Sequence, residues 1–245
     1  MPLLVWILIF SFLVSLFGLI GGFFLLWKEN WARKIVLYLV SFAAGALLGA
    51  AFLNLLPEAV RKGGLNIFFY VLLGLLVMFL AEKFLLWYHC HEGKCEIHVF
   101  SYTVVIGDAV HNFIDGIIIG ISFLISIPSG IIVSLAVIFH EIPQEIGDFA
   151  VMLHGGMKRR AVLIYNLLGA LTTPLAALLT YIFSSNLEKA TIPLVAFAAG
   201  TFIYIASSDL IPEIHKETKK SKAIVQFFLL VLGILVIWGV EKVLG

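Results

Sequence analysis

Two stretches of this 245-residue chain place polar side chains inside otherwise apolar sequence. The first holds Asp108, His111, Asn112 and Asp115; the second holds His140, Glu141, Gln144, Glu145 and Asp148. On a helix, residues four apart lie over one another. His111 then sits over Asp115, Asp108 over Asn112, and His140 over Gln144, while Glu141, Glu145 and Asp148 share the neighbouring stripe. Imidazole suits zinc, copper, iron and nickel, and carboxylates suit harder ions. The mixture favours Zn2+, or a neighbour such as Fe2+, Mn2+ or Cd2+, over Na+ or Ca2+. The absence of thiolate from these stretches argues against Cu(I). Each histidine alone suits a structural hydrogen bond between helices; two histidines with five acids (Asp108, Asp115, Glu141, Glu145, Asp148) form a cation-binding pattern.

The elements that carry these residues are dictated by composition. Hydrophobic residues make up 62% of the chain and charged residues 13%, with a mean hydropathy of +1.09. A soluble domain has roughly 45–50% apolar and about 25% charged residues. This balance excludes a cytosolic enzyme, a nucleic-acid binder and a disordered chain. The net charge of +1 provides no field for polyanions. Two cysteines make no disulfide framework.

A spanning helix needs about 20 apolar residues. Eight such stretches are present, at roughly 3–27, 35–56, 66–89, 99–125, 130–153, 161–184, 191–212 and 222–244. The expected fold is an all-α polytopic membrane protein with one transporter-like domain over residues 1–245. The first stretch lacks a basic n-region and is too long for a cleavable signal. With the N-terminus outside, inner loops hold Lys28, Arg33, Lys34, Lys94, Lys158, Arg159, Arg160, Lys216, Lys219, Lys220 and Lys222, against Arg61, Lys62, Lys189 and Lys242 outside. That asymmetry predicts that both termini are extracytoplasmic.

The two polar stretches fall on the fourth and fifth spans, joined by the short Ile127-Pro-Ser-Gly130. They are expected to be antiparallel neighbours, with His111 and His140 at similar depth. A single Asp at a helix centre costs about 2.5–3.5 kcal/mol to insert, so the five acids would cost roughly 10 kcal/mol or more without partners. No Lys or Arg occurs between Lys94 and Lys158. The balancing charge is therefore expected to be protons or a bound cation. Pro143 cannot donate to the Phe139 carbonyl, which frees an oxygen beside the cluster.

There is also an internal repeat. The segment from Phe42-Ala-Ala-Gly45 to Pro57-Glu58 realigns with Phe197-Ala-Ala-Gly200 to Pro212-Glu213 at an offset of 155 residues. Five spans separate the copies, so they point in opposite directions. Inverted repeats of this kind mark secondary transporters, whose sites lie near the midplane. The expected plan is 3+2+3, with halves of about 1–89 and 158–245 flanking the helix pair of about 99–153. In this topology Asp108, Asp148 and Asp209 lie on the cytoplasmic side of the histidines, a candidate exit path. Asn54 and Glu58 lie toward the outer end of the second span. A dication moving inward gains about 4.6 kcal/mol per 100 mV of inside-negative potential, from about 2.3 per charge. The segment from His89 to His98, with Cys90, His91 and Cys95, is a further metal-like cluster, although its spacing matches no structural zinc finger.

These motifs resemble those of the ZIP (Zrt/Irt-like protein) metal transporters. His111-Asn112-Phe-Ile-Asp115-Gly116 is similar to the family's fourth-span motif, and His140-Glu141-Ile-Pro143-Gln144-Glu145-Ile-Gly147-Asp148 to its fifth-span motif. The resemblance covers nearly the whole chain. It implies a homodimeric transporter in the cell (plasma or inner) membrane, moving Zn2+ and often Fe2+ or other dications into the cytoplasm. Alternating access would move the fourth and fifth spans against a more static scaffold. The metal is then substrate, and no catalytic cofactor is implied. By the same resemblance His111, Asp115, His140 and Gln144 fall on the primary site. Asn112 and Glu141 fall on an adjoining second site, and Asp209 on a position linked to release. Two departures stand out. Gln144 is a neutral, weaker ligand, for which Glu145 is a candidate compensator, and Thr173 stands before Pro174 where two-metal members place a carboxylate. One principal site is expected.

Two other readings compete. His140-Glu-Ile-Pro-Gln144 is one residue from the HExxH motif of zinc proteases, which would suit an intramembrane zinc-dependent hydrolase. A proton-coupled carrier of organic solutes would also use buried acids.

Overall fold

The computed structural model describes residues 1–89, 97–154 and 156–244. Every regular element among them is helical. Eight helices are long and apolar enough to cross a membrane: α1 (Leu3–Trp27), α2 (Lys34–Gly63), α3 (Leu65–Phe84), α4 (Val104–Ile125), α5 (Ile127–Leu153), α6 (Arg159–Ile182), α7 (Thr191–His215) and α8 (Lys220–Leu244). The eight stretches expected from hydropathy are all present.

The second helix runs further than its apolar stretch because Pro57 does not stop it. Proline removes an N–H donor and crowds the carbonyl four residues back. Here a π-helical turn, Ala50–Leu55, loosens the ladder just before Leu56–Gly63, which carries Pro57 in its first turn. The seventh helix repeats this arrangement, with a π-helical turn at Ile205–Leu210 followed by Ile211–His215 and its Pro212. The two π-helical turns are 155 residues apart, the offset of the sequence repeat.

Small residues set the packing, as expected in lipid, where close backbone approach replaces hydrophobic exclusion. Helix α1 presents Ser11, Ser15, Gly18 and Gly22 on one buried face. An added Cβ on Gly21 would stand 2.6 Å from the Ile142 carbonyl oxygen of α5. On α4, a Cβ on Gly116 would strike the Thr173 carbonyl, and one on Gly120 would meet Thr180 Cβ at 2.7 Å. Helices α1 and α5 thus form one tight pair and α4 and α6 another. The remaining four helices pair as α2 with α8 and α7 with α3. Gly45 lies on the Leu230 carbonyl and Gly233 on that of Phe42; Gly200 lies on the Val71 carbonyl and Gly74 on that of Phe197.

These pairs interchange when α1, α2 and α3 are exchanged with α6, α7 and α8, and α4 with α5. Phe42 and Phe197 are equivalent under that exchange, as are Gly45 and Gly200. The Ser15 hydroxyl donates to the Ala170 carbonyl at 2.6 Å across a separation of 155 residues. The contacts are those that a two-fold relation between the halves produces.

The interior is filled by Phe123, Phe149, Phe202, Leu47 and Ile119, all at most 1% exposed. The outer faces of α3 and α8 are apolar and exposed, with Phe68, Phe69, Leu72, Phe227, Phe228 and Leu235 outermost. A bilayer would cover such faces. Helix α5 is the most buried span, and α4 packs beside it while leaving Ile106, Val110 and Phe113 exposed.

Candidate metal centre

The geometry begins with the close approach of α4 and α5. His111 and His140 face each other with their Nε2 atoms 3.2 Å apart. Asp115 Oδ2 lies 3.2 Å from His140 Nε2 and 3.6 Å from His111 Nε2. Glu141 Oε1 lies 3.6 Å from His111 Nε2 and 3.7 Å from His140 Nε2. One ligand atom from each of these four residues fits within a 4.8 Å group, and no other such His, Cys, Asp or Glu group occurs among the described residues. Asp115, His140 and Glu141 are each 1% exposed.

Each member is oriented by its helix. His140 Nδ1 lies 3.2 Å from the Ala136 carbonyl one turn back. We assign Nδ1–H as the donor there, which leaves the Nε2 lone pair directed at the cluster. The rings of His111 and His140 cross at 81° with centroids 5.4 Å apart. Phe202 of α7 closes one side, its ring 6.3 Å from that of His140. Asp115 Oδ2 and Glu141 Oε1 are buried without a hydrogen-bond partner. Buried polar atoms are almost always paired, so two orphaned carboxylate oxygens facing two imidazole nitrogens point to a cation. Chemically, this is a mixed N/O donor set for a divalent transition metal.

The other residues singled out in the sequence are placed as follows. Gln144 is half-buried one turn beyond His140, and no hydrogen bond joins it to the two imidazoles; Glu141 is the acid that completes the group of four. Asn112 is buried, but its amide is engaged at both ends. Its Nδ2 donates to Asp108 Oδ1 at 2.8 Å, and its Oδ1 accepts from Thr173 Oγ1 at 2.9 Å. Glu145 is buried with both oxygens unpartnered. Asp108 is 5% exposed and lies against Gly169 of α6, whose added Cβ would collide with Asp108 Oδ2. Asp148 is half-buried and Asp209 exposed.

Asn54 accepts from Ser129 Oγ at 2.8 Å, which ties the second helix to the start of the fifth. Both line a cavity of about 530 Å³ together with Glu58, Arg61, Lys62 and Glu241. Glu58 is occupied there by Arg61 and Lys62. The metal-like segment from His89 to His98 falls outside the residues whose side chains are described.

Two features had no sequence signal of their own. Gly18 of α1 lies directly on Glu141 and Glu145; its only trace is the small-residue spacing of the first span. The Tyr204 hydroxyl of α7 donates to Glu82 of α3, a pairing between helices that spacing along the chain does not reveal.

Eight apolar helices and a buried His/carboxylate cluster define a multi-pass membrane protein with a candidate metal centre inside its helical bundle. A family model described as ZIP Zinc transporter matches residues 2–96 and 88–241, and the chain belongs to that family. The matched family is one of transporters, so the hydrolase reading of His140-Glu-Ile-Pro-Gln144 is not favoured.

Among curated relatives, Zinc transporter ZIP4 of Homo sapiens is 38% identical over 150 residues, 61% of this chain and 23% of that protein. Zinc transporter ZIP10 of Homo sapiens is 36% identical over 155 residues, 60% of this chain and 19% of that protein. Zinc transporter ZIP13 of Pongo abelii is 32% identical over 214 residues, 81% of this chain and 64% of that protein. The chain thus spans about a fifth of the length of ZIP4 and ZIP10 and under two thirds of ZIP13.

Proposed function

We propose that this chain carries divalent transition-metal cations, Zn2+ foremost, into the cytoplasm through the centre formed by His111, Asp115, His140 and Glu141. The observation that carries the reading is the meeting of two imidazole Nε2 atoms with two unpartnered buried carboxylate oxygens. No Lys or Arg lies between Lys94 and Lys158 to neutralise them. Fe2+, Mn2+ and Cd2+ suit the same donors. The printed names of the relatives, all zinc transporters, support Zn2+ as the first substrate to test. Gln144 stands one turn along α5 as an exchange ligand, and Asp108, Asp148 and Asp209 continue the route inward. Asn54 belongs to the outer closure with Ser129. The orientation follows from the excess of Lys and Arg in the loops assigned to the cytoplasm, and an inside-negative potential favours inward movement of a dication. A homodimer in the cell membrane with both termini outside completes the reading, on the strength of the family resemblance.

Uptake of radioactive Zn2+ into proteoliposomes tests it, with Fe2+, Mn2+ and Cd2+ as competitors. Wild-type vesicles should accumulate Zn2+, and the His111→Ala/His140→Ala variant should not. Equal uptake by the two proteins would overturn the proposal.

A further inference from the structure

The end of α1, the start of α2, the end of α5 and the start of α6 meet on a second apolar cluster. Leu25, Phe149, Met152 and Val162 fill it, and Leu26, Val36 and Met157 pack against it. Each of these last three stands beside cations in the chain. Lys28 follows Leu26, Lys34 precedes Val36, and Lys158, Arg159 and Arg160 follow Met157. All five cations are exposed. None of them forms an ion pair among the described residues, and the first turn of α6 holds no acid. Elsewhere basic residues have acids beside them: Arg61 and Lys62 have Glu58, Lys216 has Glu213, and Lys222 has Glu217. Over residues 27–34 and 156–161 six cations, Arg33 included, stand against the single acid Glu29, although the whole chain carries only +1.

Two tryptophans frame this patch. Trp27 is 78% exposed and Trp31 59%. Lys28 Nζ lies 5.1 Å from the centre of the Trp27 ring, and the Trp31 ring meets that of Phe24 edge-on. Exposed Trp belongs at headgroup depth, and Lys and Arg extend from apolar surface into the headgroup layer. Positive loops are enough to set topology. Topology does not require that cations of two separate loops share one apolar base, or that they stay unpaired.

We propose that this patch docks anionic phospholipid headgroups of the cytoplasmic leaflet. Lys28, Lys34, Lys158, Arg159 and Arg160 meet the phosphates, and Trp27 and Trp31 lie beneath them. The cytoplasmic leaflet is negative at its surface and attracts each Lys or Arg held near it. Guanidinium groups add bidentate contacts to phosphate. Bound headgroups then link the start of α6 to the turn between α1 and α2. The choice of leaflet rests on the topology with both termini outside.

Quenching of Trp27 and Trp31 by brominated lipid tests it, in the full chain with Trp6, Trp87 and Trp238 replaced by Phe. The vesicles carry brominated phosphatidylglycerol or brominated phosphatidylcholine at equal fractions in both leaflets, so orientation does not affect the result. Phosphatidylglycerol should be preferred by about tenfold, and the preference should shrink at high salt. It should fall close to one in Lys158→Gln/Arg159→Gln/Arg160→Gln and fall severalfold in Lys28→Gln/Lys34→Gln. Lys189→Gln/Lys242→Gln removes the same two charges from the opposite side and should leave it unchanged. Equal quenching by the two lipids, or equal losses in the two double variants, would overturn the docking site. The assay involves no metal, so its failure leaves the transport reading standing, and failed Zn2+ uptake leaves the docking site standing.

Discussion

Glu141→Gln separates the two residues that compete to be the fourth ligand. Glu141 Oε1 lies 3.6 and 3.7 Å from the two imidazole nitrogens, and no hydrogen bond joins Gln144 to either. At an effective dielectric of about 20, two unit charges about 4 Å apart interact by roughly 4 kcal/mol. A dication among the four atoms sits nearer to Oε1 than that and carries twice the charge, while the amide oxygen left by the substitution restores part of the attraction. A net loss of about 3 kcal/mol is the expected balance, which is roughly 150-fold in Kd at 1.4 kcal/mol per tenfold. Competition between the purified protein and a chromophoric zinc chelator reads this directly. Gln144→Ala, measured beside it, should weaken binding by less than about tenfold, one such step. A Glu141→Gln protein within threefold of wild type, or a larger loss in Gln144→Ala, would move the fourth ligand to Gln144 and refute the reasoning.

Thr173→Val strands the buried Asn112 Oδ1. Hydrogen bonds between membrane helices contribute about 0.6 and at most about 1.7 kcal/mol, so Tm should fall by about 2–4 °C per kcal/mol lost, and Thr173→Ser should restore it; an unchanged Tm in the valine variant contradicts the proposed bond. Zn2+ at about 100 times its Kd should raise stability by about 2.7 kcal/mol. The gain should vanish with a chelator or in His111→Ala/His140→Ala, and a thermal shift that survives both would place the binding elsewhere. Gly45→Ala and Gly200→Ala each drive a methyl into a neighbouring backbone carbonyl, which overpacks the contact at a cost of about 1–3 kcal/mol. Gly239→Ala, with no atom within 4 Å of its added Cβ, should be neutral or slightly stabilising in a detergent melt; equal behaviour of all three would undo the packing argument.

The architecture was largely legible because lipid restricts the choices. Uninterrupted apolar stretches of about 20 residues have few alternatives to spanning helices, and all eight stand out in the sequence. The partnership of α4 and α5 was legible from the short Ile127–Gly130 connection and from acids lacking basic neighbours. The ligand atoms were legible only in part. Helical spacing sets Gln144 over His140, yet Glu141 reaches the imidazoles. That outcome depends on how closely and at what angle two helices cross, which Gly18 and Gly21 of a distant helix help to decide. Asn112 illustrates the same limit. Its amide looks available in the sequence and is engaged in the fold by Thr173, sixty-one residues away. The π-helical turns were also hidden, because polar residues such as Asn54 in the first and Asp209 in the second fit an α-helix equally well. Only the prolines that follow hinted at a disturbance.

Those two turns also act as phase shifters. An α-helix advances about 100° per residue, and a π-helical turn takes up additional residue length before the spiral resumes. Residues on either side of Ala50–Leu55 therefore face different neighbours: Gly45 addresses α8, and Gly63 addresses Ile192 of α7. The same helix thereby packs on α8 with one half and on α7 with the other. Loss of a single residue would ordinarily throw everything downstream onto the wrong face. Within Ala50–Leu55 or Ile205–Leu210 it would instead convert the turn toward plain α geometry. The local helix would survive, and Glu58 or Glu213 would keep nearly its setting about the axis, because the lost residue is the one that the π-helical turn had absorbed. In each half, one extra step of chain is taken up locally, so the helix beyond the turn tolerates its loss.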